Sequence, residues 1–249
     1  MATLALIGVN VLIFTAFSVA GPLDQAINDY GLTPYDVARG QNLHTLLTSF
    51  FMHADFWHLS GNMLALFVMG YLLERKIGPV KFLIIYFVSH IAAVAFVLSL
   101  AWGSNVVMYG ASAAISGVAG ACFFSSLFDR IPLGFALMMV LPGLTWMVSA
   151  AFPATAATIG IYLFFSTAIP LLTFVMAPFT TVILLPFLIT WMVFQLGAGL
   201  FYTNLGYLAG GIWAHLSGLL AGVLLYLLLR PKGPKKVPEA EAKIPVIGS

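Results

Sequence analysis

Four polar side chains that could do chemistry lie inside strongly apolar stretches of this chain: His58, Asn62, Ser112 and His215. A polar group surrounded by lipid is costly unless another group pairs with it or it serves a function. A serine hydroxyl becomes a nucleophile when a histidine accepts its proton. Ser112 and His215 are therefore candidates for such a pair if the fold brings them together.

Ser112 opens an apolar segment directly after Gly110 and the polar linker WGSNVVMYG. At the start of a helix the backbone N–H groups lack intrahelical partners and favour negative charge. A hydroxyl at that place can attack a carbonyl whose developing oxyanion meets ready donors. Ser116 and Gly120 continue the same helix face, so tight helix packing is an alternative explanation for these small residues.

His215 shares its predicted helix face with Gly211, Gly218 and Gly222. Such a smooth face lets a neighbouring helix approach closely, and the stripe that starts at Ser112 is complementary to it. No acidic residue occurs from 130 to 238, so a nearby aspartate cannot orient His215 and a catalytic site would use a Ser–His dyad. These patterns leave a structural and a catalytic histidine both open.

His58 and Asn62 lie four residues apart in WHLSGNMLALFVMGYLLE. This spacing places both side chains on one face of a helix, about 40° apart. Taken alone, the pair indicates a hydrogen bond to a neighbouring helix.

The composition indicates a protein that is dissolved in lipid. Hydrophobic residues make up 61% of the 249 residues and charged residues only 7%, whereas soluble domains carry about 25% charged residues. The backbone polar groups of each apolar run must be satisfied within the run, so the runs are predicted to be helices. We expect an all-α, polytopic membrane helix bundle in residues 1–230, whose first run is a transmembrane helix and not a signal peptide. The predicted spans are 3–20, 57–73, 79–100, 112–128, 131–150, 155–176, 179–200 and 209–230.

Basic residues predict the orientation of the bundle. Arg75, Lys76 and Lys81 follow the second run, whereas the loop 21–56 is mainly acidic. The positive-inside rule then predicts an external loop and cytoplasmic termini. The tail 231–249 is rich in Pro and Lys, so we expect a disordered cytoplasmic segment close to anionic lipid.

Two counts narrow the function further. The net charge of +2 is too small to indicate a nucleic-acid partner. The single cysteine, Cys122, lies among small residues and is expected to be a buried packing thiol.

Four segments in order, HADFWHLSGNM, GYLLERKIG, YGASAAISG and AHLSGLLAG, resemble the rhomboid family of intramembrane serine proteases. The family pattern His-x-x-x-Asn matches His58 and Asn62. The motif Gly-x-Ser-Gly matches Gly110 and Ser112, and Ala-His-x-x-Gly-x-x-x-Gly matches the segment around His215 with Gly218 and Gly222. Each motif is weak by itself, but their order and their helices together are specific.

The resemblance implies a six-helix core in which Ser112 is the nucleophile and His215 the general base. It further implies that His58 and Asn62 donate to the oxyanion, while Gly110, Gly117, Gly218 and Gly222 pack near the site. The motif alignment selects Ser112 over Ser116. The implied substrates are transmembrane segments of other proteins, cut near the external face. We expect an integral protein of the plasma membrane that uses neither metal nor cofactor.

The chain departs from the family pattern in three places. Ala113 replaces the glycine after the nucleophile, which predicts reduced or unchanged activity. Leu43 and His44 stand where many members carry a Trp-Arg pair. Ser112 and His215 are 103 residues apart, so the chain must cross the membrane an odd number of times between them. Three crossings give about eight helices, two more than the core, and one crossing with a re-entrant segment is the alternative.

Two other functions stay open at this point. An inactive rhomboid-like protein would bind transmembrane clients, although its usual sign is loss of the serine or the histidine. A transporter or channel would favour broken helices in matching halves, and the sequence shows no inverted repeat.

His44, His53 and His90 are interpreted as interfacial or packing groups.

Overall fold

A computed structural model of the protein describes residues 1–149, 168–177, 179–204 and 210–230, and within these ranges the apolar runs are largely helical. Within these ranges, five helices are long and apolar enough to cross a membrane: α1 (Ala2–Ala20), α5 (Phe56–Ile77), α6 (Pro79–Ala101), α10 (Leu184–Asn204) and α11 (Gly210–Leu229). The bounds are α1 Ala2–Ala20, α2 Leu23–Tyr30, α3 Pro34–Ala38, α4 Thr45–Thr48, α5 Phe56–Ile77, α6 Pro79–Ala101, α7 Ser112–Ser125, β1 Arg130–Pro132, α8 Leu133–Ser149, α9 Ile169–Met176, β2 Thr181–Ile183, α10 Leu184–Asn204 and α11 Gly210–Leu229.

The all-α polytopic architecture is therefore confirmed, with two local departures. Helix α5 contains a π-helical turn at Leu66–Gly70, a feature that is common near functional sites. The span predicted over 179–200 begins later, at Leu184, because Thr181–Ile183 pairs with Arg130–Pro132 as a short antiparallel ribbon.

Helix α7 is the buried centre of the bundle, and α11 packs directly against its backbone. A side chain at Gly222 would overlap the carbonyl of Gly117, and one at Gly218 would overlap the carbonyl of Ala113. The two helices approach this closely because α11 carries no β-carbon at either crossing point. The glycine stripes therefore determine how near the start of α7 lies to α11.

Helix α7 has 14 residues and is about 21 Å long at 1.5 Å per residue, shorter than the roughly 30 Å of hydrocarbon. The segment before it must therefore enter the bundle. This segment is held by the first loop, where Leu32 and Met108 exchange two backbone hydrogen bonds of 2.8 Å. The N–H of Gly110 donates to the carbonyl of Ser49 at 2.8 Å.

Glu74 connects the end of α5 to the start of α1. Its carboxylate accepts from the N–H groups of Ala2 and Thr3 at 2.8 and 2.9 Å, and from the Thr3 hydroxyl at 2.6 Å. These are N–H groups of the first turn of α1, which have no intrahelical acceptor. Glu74 therefore has a structural contact in this bundle.

The segment between α7 and α11 returns to one end of the bundle before α10 begins. The ribbon pairs Arg130 with Ile183, and the Arg130 guanidinium donates to the hydroxyl and the carbonyl of Thr181, both at 2.8 Å. Helices α8 and α10 consequently start at the same end. Only 168–176 of the predicted span 155–176 lies within the described residues, and the tail 231–249 lies outside them, so the count of eight helices stays a prediction.

Candidate active site

Ser112 and His215 meet where α7 and α11 pack. Ser112 is the first residue of α7, and its Oγ lies 2.9 Å from Nε2 of His215 in the second turn of α11. Both side chains are half-buried. A serine hydroxyl at this distance donates to an imidazole nitrogen that carries no hydrogen, which is the arrangement of a nucleophile and its base.

The second ring nitrogen of His215 also has a partner. Nδ1 lies 3.2 Å from Oε1 of Gln195 on α10. An amide oxygen only accepts, so Nδ1 carries the hydrogen and Nε2 is left free to accept from Ser112. The ring of Trp191, one turn before Gln195, lies with its centroid 6.2 Å from that of His215 at an interplanar angle of 34°.

Gln195 was not predicted as a partner of His215, because only acidic partners were expected there. A signal was present, since Gln195 is an amide in a long stretch without charged residues. Amides in transmembrane helices are costly unless they are paired.

Asn62 and His58 each line a cavity that Ser112 and His215 also line. Asp55 caps α5 by accepting from the backbone N–H of His58 at 2.8 Å. A β-carbon added to Gly110 would lie 3.1 Å from His58 Nε2 and 3.7 Å from Asn62 Nδ2. Gly110 also has φ +105°, a conformation that side chains rarely adopt. The glycine thus lets both side chains come close to the chain two residues before Ser112.

His53 holds Asn62 in place. Nδ2 of Asn62 donates to His53 Nε2 at 3.0 Å, and His53 Nδ1 donates to the carbonyl of Phe51 at 3.2 Å. Burial, with a smaller contribution from nearby His58, lowers the pKa of His53 to about 4. The neutral imidazole therefore accepts one N–H of the Asn62 amide, and the second N–H of that amide is left available as a donor. The spacing of His53 and Asn62 gave no indication of this contact.

The hydroxyl of Ser116 is engaged elsewhere. It donates to the carbonyl of Ser112 at 2.8 Å, and the residue is only 3% exposed. This local bond within α7 favours Ser112 over Ser116 as the reactive serine.

Ala113, the departure from the family motif, is buried and lines the same cavity as Ser112. It belongs to a small apolar cluster between α6, α7 and α11, together with Ala93, Val97 and Ala214. The extra methyl group is therefore accommodated by packing.

Two cavities border the Ser112–His215 pair. One, of about 270 Å³, is largely apolar and runs along α7 past Ile115 to Phe135 and Met139. The other, of about 280 Å³, lies on the side of His58, His90 and Tyr109. Ser112 and His215 are therefore bordered by two cavities.

The remaining thiol and imidazoles lie apart from this pair or pack against rings. Cys122 is fully buried, and its S–H donates to the carbonyl of Met69 at 3.5 Å. His44 is exposed with Nε2 3.1 Å from the carbonyl of Asp29, and His90 is buried with its ring against Phe50. Among the residues the structure describes, no three His, Cys, Asp or Glu side chains cluster as metal ligands would.

The comparisons with known proteins agree with one another, because each match is to a rhomboid domain or protein. The model of the Rhomboid domain matches residues 40–155, a range that contains His58, Asn62 and Ser112. The mitochondrial Rhomboid protein 1 of Saccharomyces cerevisiae is 31% identical over 151 residues, which are 59% of this chain and 42% of the relative. The Rhomboid protease AarA of Providencia stuartii is 32% identical over 136 residues, 48% of each chain.

This chain therefore spans less than half the length of these two curated relatives. The domain match, the two relatives and the several apolar helices agree with the four sequence motifs. The protein is an integral membrane protein whose residues 40–155 match the Rhomboid domain, and it is similar to rhomboid proteins, as its motifs predict.

Proposed function

We propose that this protein is an intramembrane serine protease that cuts transmembrane segments of other membrane proteins. The observation that carries the proposal is the 2.9 Å hydrogen bond between Ser112 Oγ and His215 Nε2 inside an apolar bundle. The match of residues 40–155 to the Rhomboid domain and the similarity to a relative named a protease support it. The chemistry uses side chains and backbone groups of this chain.

In the proposed first step, Nε2 of His215 takes the proton of Ser112 while Oγ attacks the scissile carbonyl carbon. The carbonyl oxygen becomes an oxyanion. His58, the free N–H of Asn62 and the backbone N–H of Ser112 donate to it. The carbon–nitrogen bond then breaks, and protonated His215 gives its proton to the leaving amine.

In the second step, water attacks the acyl–serine ester and His215 takes the proton of that water. The acid product leaves when the bond to Ser112 Oγ breaks, and protonated His215 returns its proton to Oγ to re-form the hydroxyl. The cavity on the side of His58 and Tyr109 supports this step because it borders both Ser112 and His215.

In this proposal the substrate binds in the apolar cavity. This cavity is bounded by Asn62 and Met69 of α5, Met139 of α8 and Trp191 of α10. Such a lining suits apolar side chains of a transmembrane segment. We also propose that the protein resides in the plasma membrane. Cytoplasmic termini are supported by its basic residues, which follow the positive-inside pattern.

The test is labelling of the detergent-solubilised protein by a fluorophosphonate probe, which reacts with activated serines. We expect labelling of the wild type, none of Ser112→Ala, strongly reduced labelling of His215→Ala, and retained labelling of the matched control Ser116→Ala. Absence of labelling in a wild-type sample shown to be folded would overturn the proposal and favour an inactive protein that binds transmembrane clients.

A further inference from the structure

We propose that Gln195 is a positioning residue that holds His215 in the tautomer a general base needs. The site would then be a Ser112–His215–Gln195 chain of hydrogen bonds. This inference rests on the proposed function and adds to it a residue outside the motifs that suggested the dyad.

The chain of hydrogen bonds is continuous. Ser112 Oγ lies 2.9 Å from His215 Nε2, and His215 Nδ1 lies 3.2 Å from Gln195 Oε1. A neutral imidazole has one N–H donor and one bare nitrogen. With the hydrogen on Nδ1 the bare Nε2 can take the serine proton, whereas the opposite tautomer would present an N–H to Ser112 and could not.

An amide suits this position better than a carboxylate would. The chain carries no Asp, Glu, Lys or Arg between Arg130 and Arg230, so a carboxylate beside His215 would lack a basic partner in that stretch. Burying an unpaired charge is expensive, and burying a hydrogen-bonded amide is much less so. The amide oxygen still presents the negative end of its dipole to the imidazole when His215 becomes protonated.

Helix α10 is held where Gln195 can reach His215. Gly199 lies against α11, since a β-carbon there would be 3.2 Å from the side chain of Ile212. The indole N–H of Trp213 donates to the hydroxyl of Thr203 at 3.3 Å. Trp191 and Gln195 are four residues apart on one face, so the ring and the amide contact the same imidazole. Helix α10 thereby supplies part of the site.

The test compares Gln195→Leu, Gln195→Glu and the exposed neighbour Leu196→Ala with the wild type. For each, the second-order rate of fluorophosphonate labelling is measured from pH 5 to 9. Gln195→Leu keeps the size but removes the acceptor, so we expect a loss of about tenfold, the effect of one hydrogen bond. Leu196→Ala should retain the wild-type rate.

Gln195→Glu, unlike Gln195→Leu, keeps an acceptor for Nδ1 of His215 and should retain most of the wild-type labelling rate. Its carboxylate favours the protonated imidazole, so the low-pH limb of the rate profile should move to higher pH. A merely structural role would give equal losses for both substitutions and no shift, and that result would overturn the inference. Thermal unfolding of each variant shows whether it folds.

The two proposals fail in different ways. An unlabelled but folded wild type contradicts the proposed function. A wild type labelled through Ser112, with Gln195→Leu labelled at the same rate, contradicts only the role of Gln195. A measurement independent of activity is the ¹⁵N spectrum of labelled histidine, assigned through His215→Ala. The Nδ1–H tautomer supports the inference and the Nε2–H tautomer overturns it.

Discussion

At the scale of single residues, the imidazoles of His215 and His53 orient the polar groups of the site, and both form hydrogen bonds in the same way. His215 and His53 each donate from Nδ1 to a carbonyl-type oxygen and accept at Nε2. One bond orients the proposed base and the other orients the amide of Asn62. All of these groups are neutral, which keeps the cost of burying them low.

The burial of neutral His53 has a consequence for how the stability of the protein depends on pH. The pKa of His53 is about 4 in the folded protein and about 6.5 in an unfolded chain. Between these pH values the unfolded chain binds more protons than the folded protein. The contribution of neutral His53 to stability is therefore complete above about pH 6.5 and falls as the pH drops toward 4. The contribution amounts to about 3 kcal/mol, because each pH unit of the interval is about 1.4 kcal/mol.

We therefore predict that thermal stability falls more steeply between pH 7 and 5 in the wild type than in His53→Gln, which keeps an acceptor for Asn62 but does not titrate. The measurement is the unfolding midpoint of both proteins in detergent at a series of pH values. His44→Gln, at an exposed histidine, is the control and should follow the wild type. Parallel curves for the wild type and His53→Gln would contradict the role of burial at His53.

At the scale of elements, the stripes of small residues on α7 and α11 could be predicted from sequence because glycine spacing determines which helix faces can touch. That spacing indicated the approach of Ser112 to His215. The contacts of Gln195 and His53 could not be predicted in this way. Gln195 lies on a helix whose hydrophobicity is nearly uniform around its axis, and His53 lies in a loop, where no period places a side chain. The β1–β2 ribbon likewise joins segments about 50 residues apart, without a local signal.

The close packing of α7 and α11 leads to a second prediction. In Gly222→Ala the new methyl group overlaps the carbonyl of Gly117, so the helices must separate and the Ser112–His215 hydrogen bond must lengthen. We expect a loss of about 1–3 kcal/mol in unfolding free energy, as for other overpacked sites. Fluorophosphonate labelling should fall with it.

Gly197→Ala on α10 is the matched control, because a β-carbon there meets nothing within 4 Å. This variant should keep both stability and labelling. If Gly222→Ala is as stable and as well labelled as Gly197→Ala, the backbone contact does not determine the geometry of the site.

At the scale of the whole molecule, charged groups are sorted to the two ends of the bundle. Lys76 forms an ion pair of 2.6 Å with Asp129, so the end of α5 and the end of α7 lie together. The contact of Glu74 with α1 places the start of that helix at the same end. The acidic loop between α1 and α5 therefore lies at the opposite end, which is also where α7 begins with Ser112.

This separation makes the orientation of the bundle testable with single cysteines. The native Cys122 is fully buried, so the wild type should not react with a membrane-impermeant maleimide and is its own control. Gln41→Cys lies in the acidic loop, and Val80→Cys lies at the basic end next to Lys81; neither change alters the charge. Because basic loops stay on the cytoplasmic side, we predict that Gln41→Cys is labelled in intact cells. Val80→Cys should react only after permeabilisation. The reverse pattern would place Ser112 near the cytoplasmic face and would contradict cleavage at the external side.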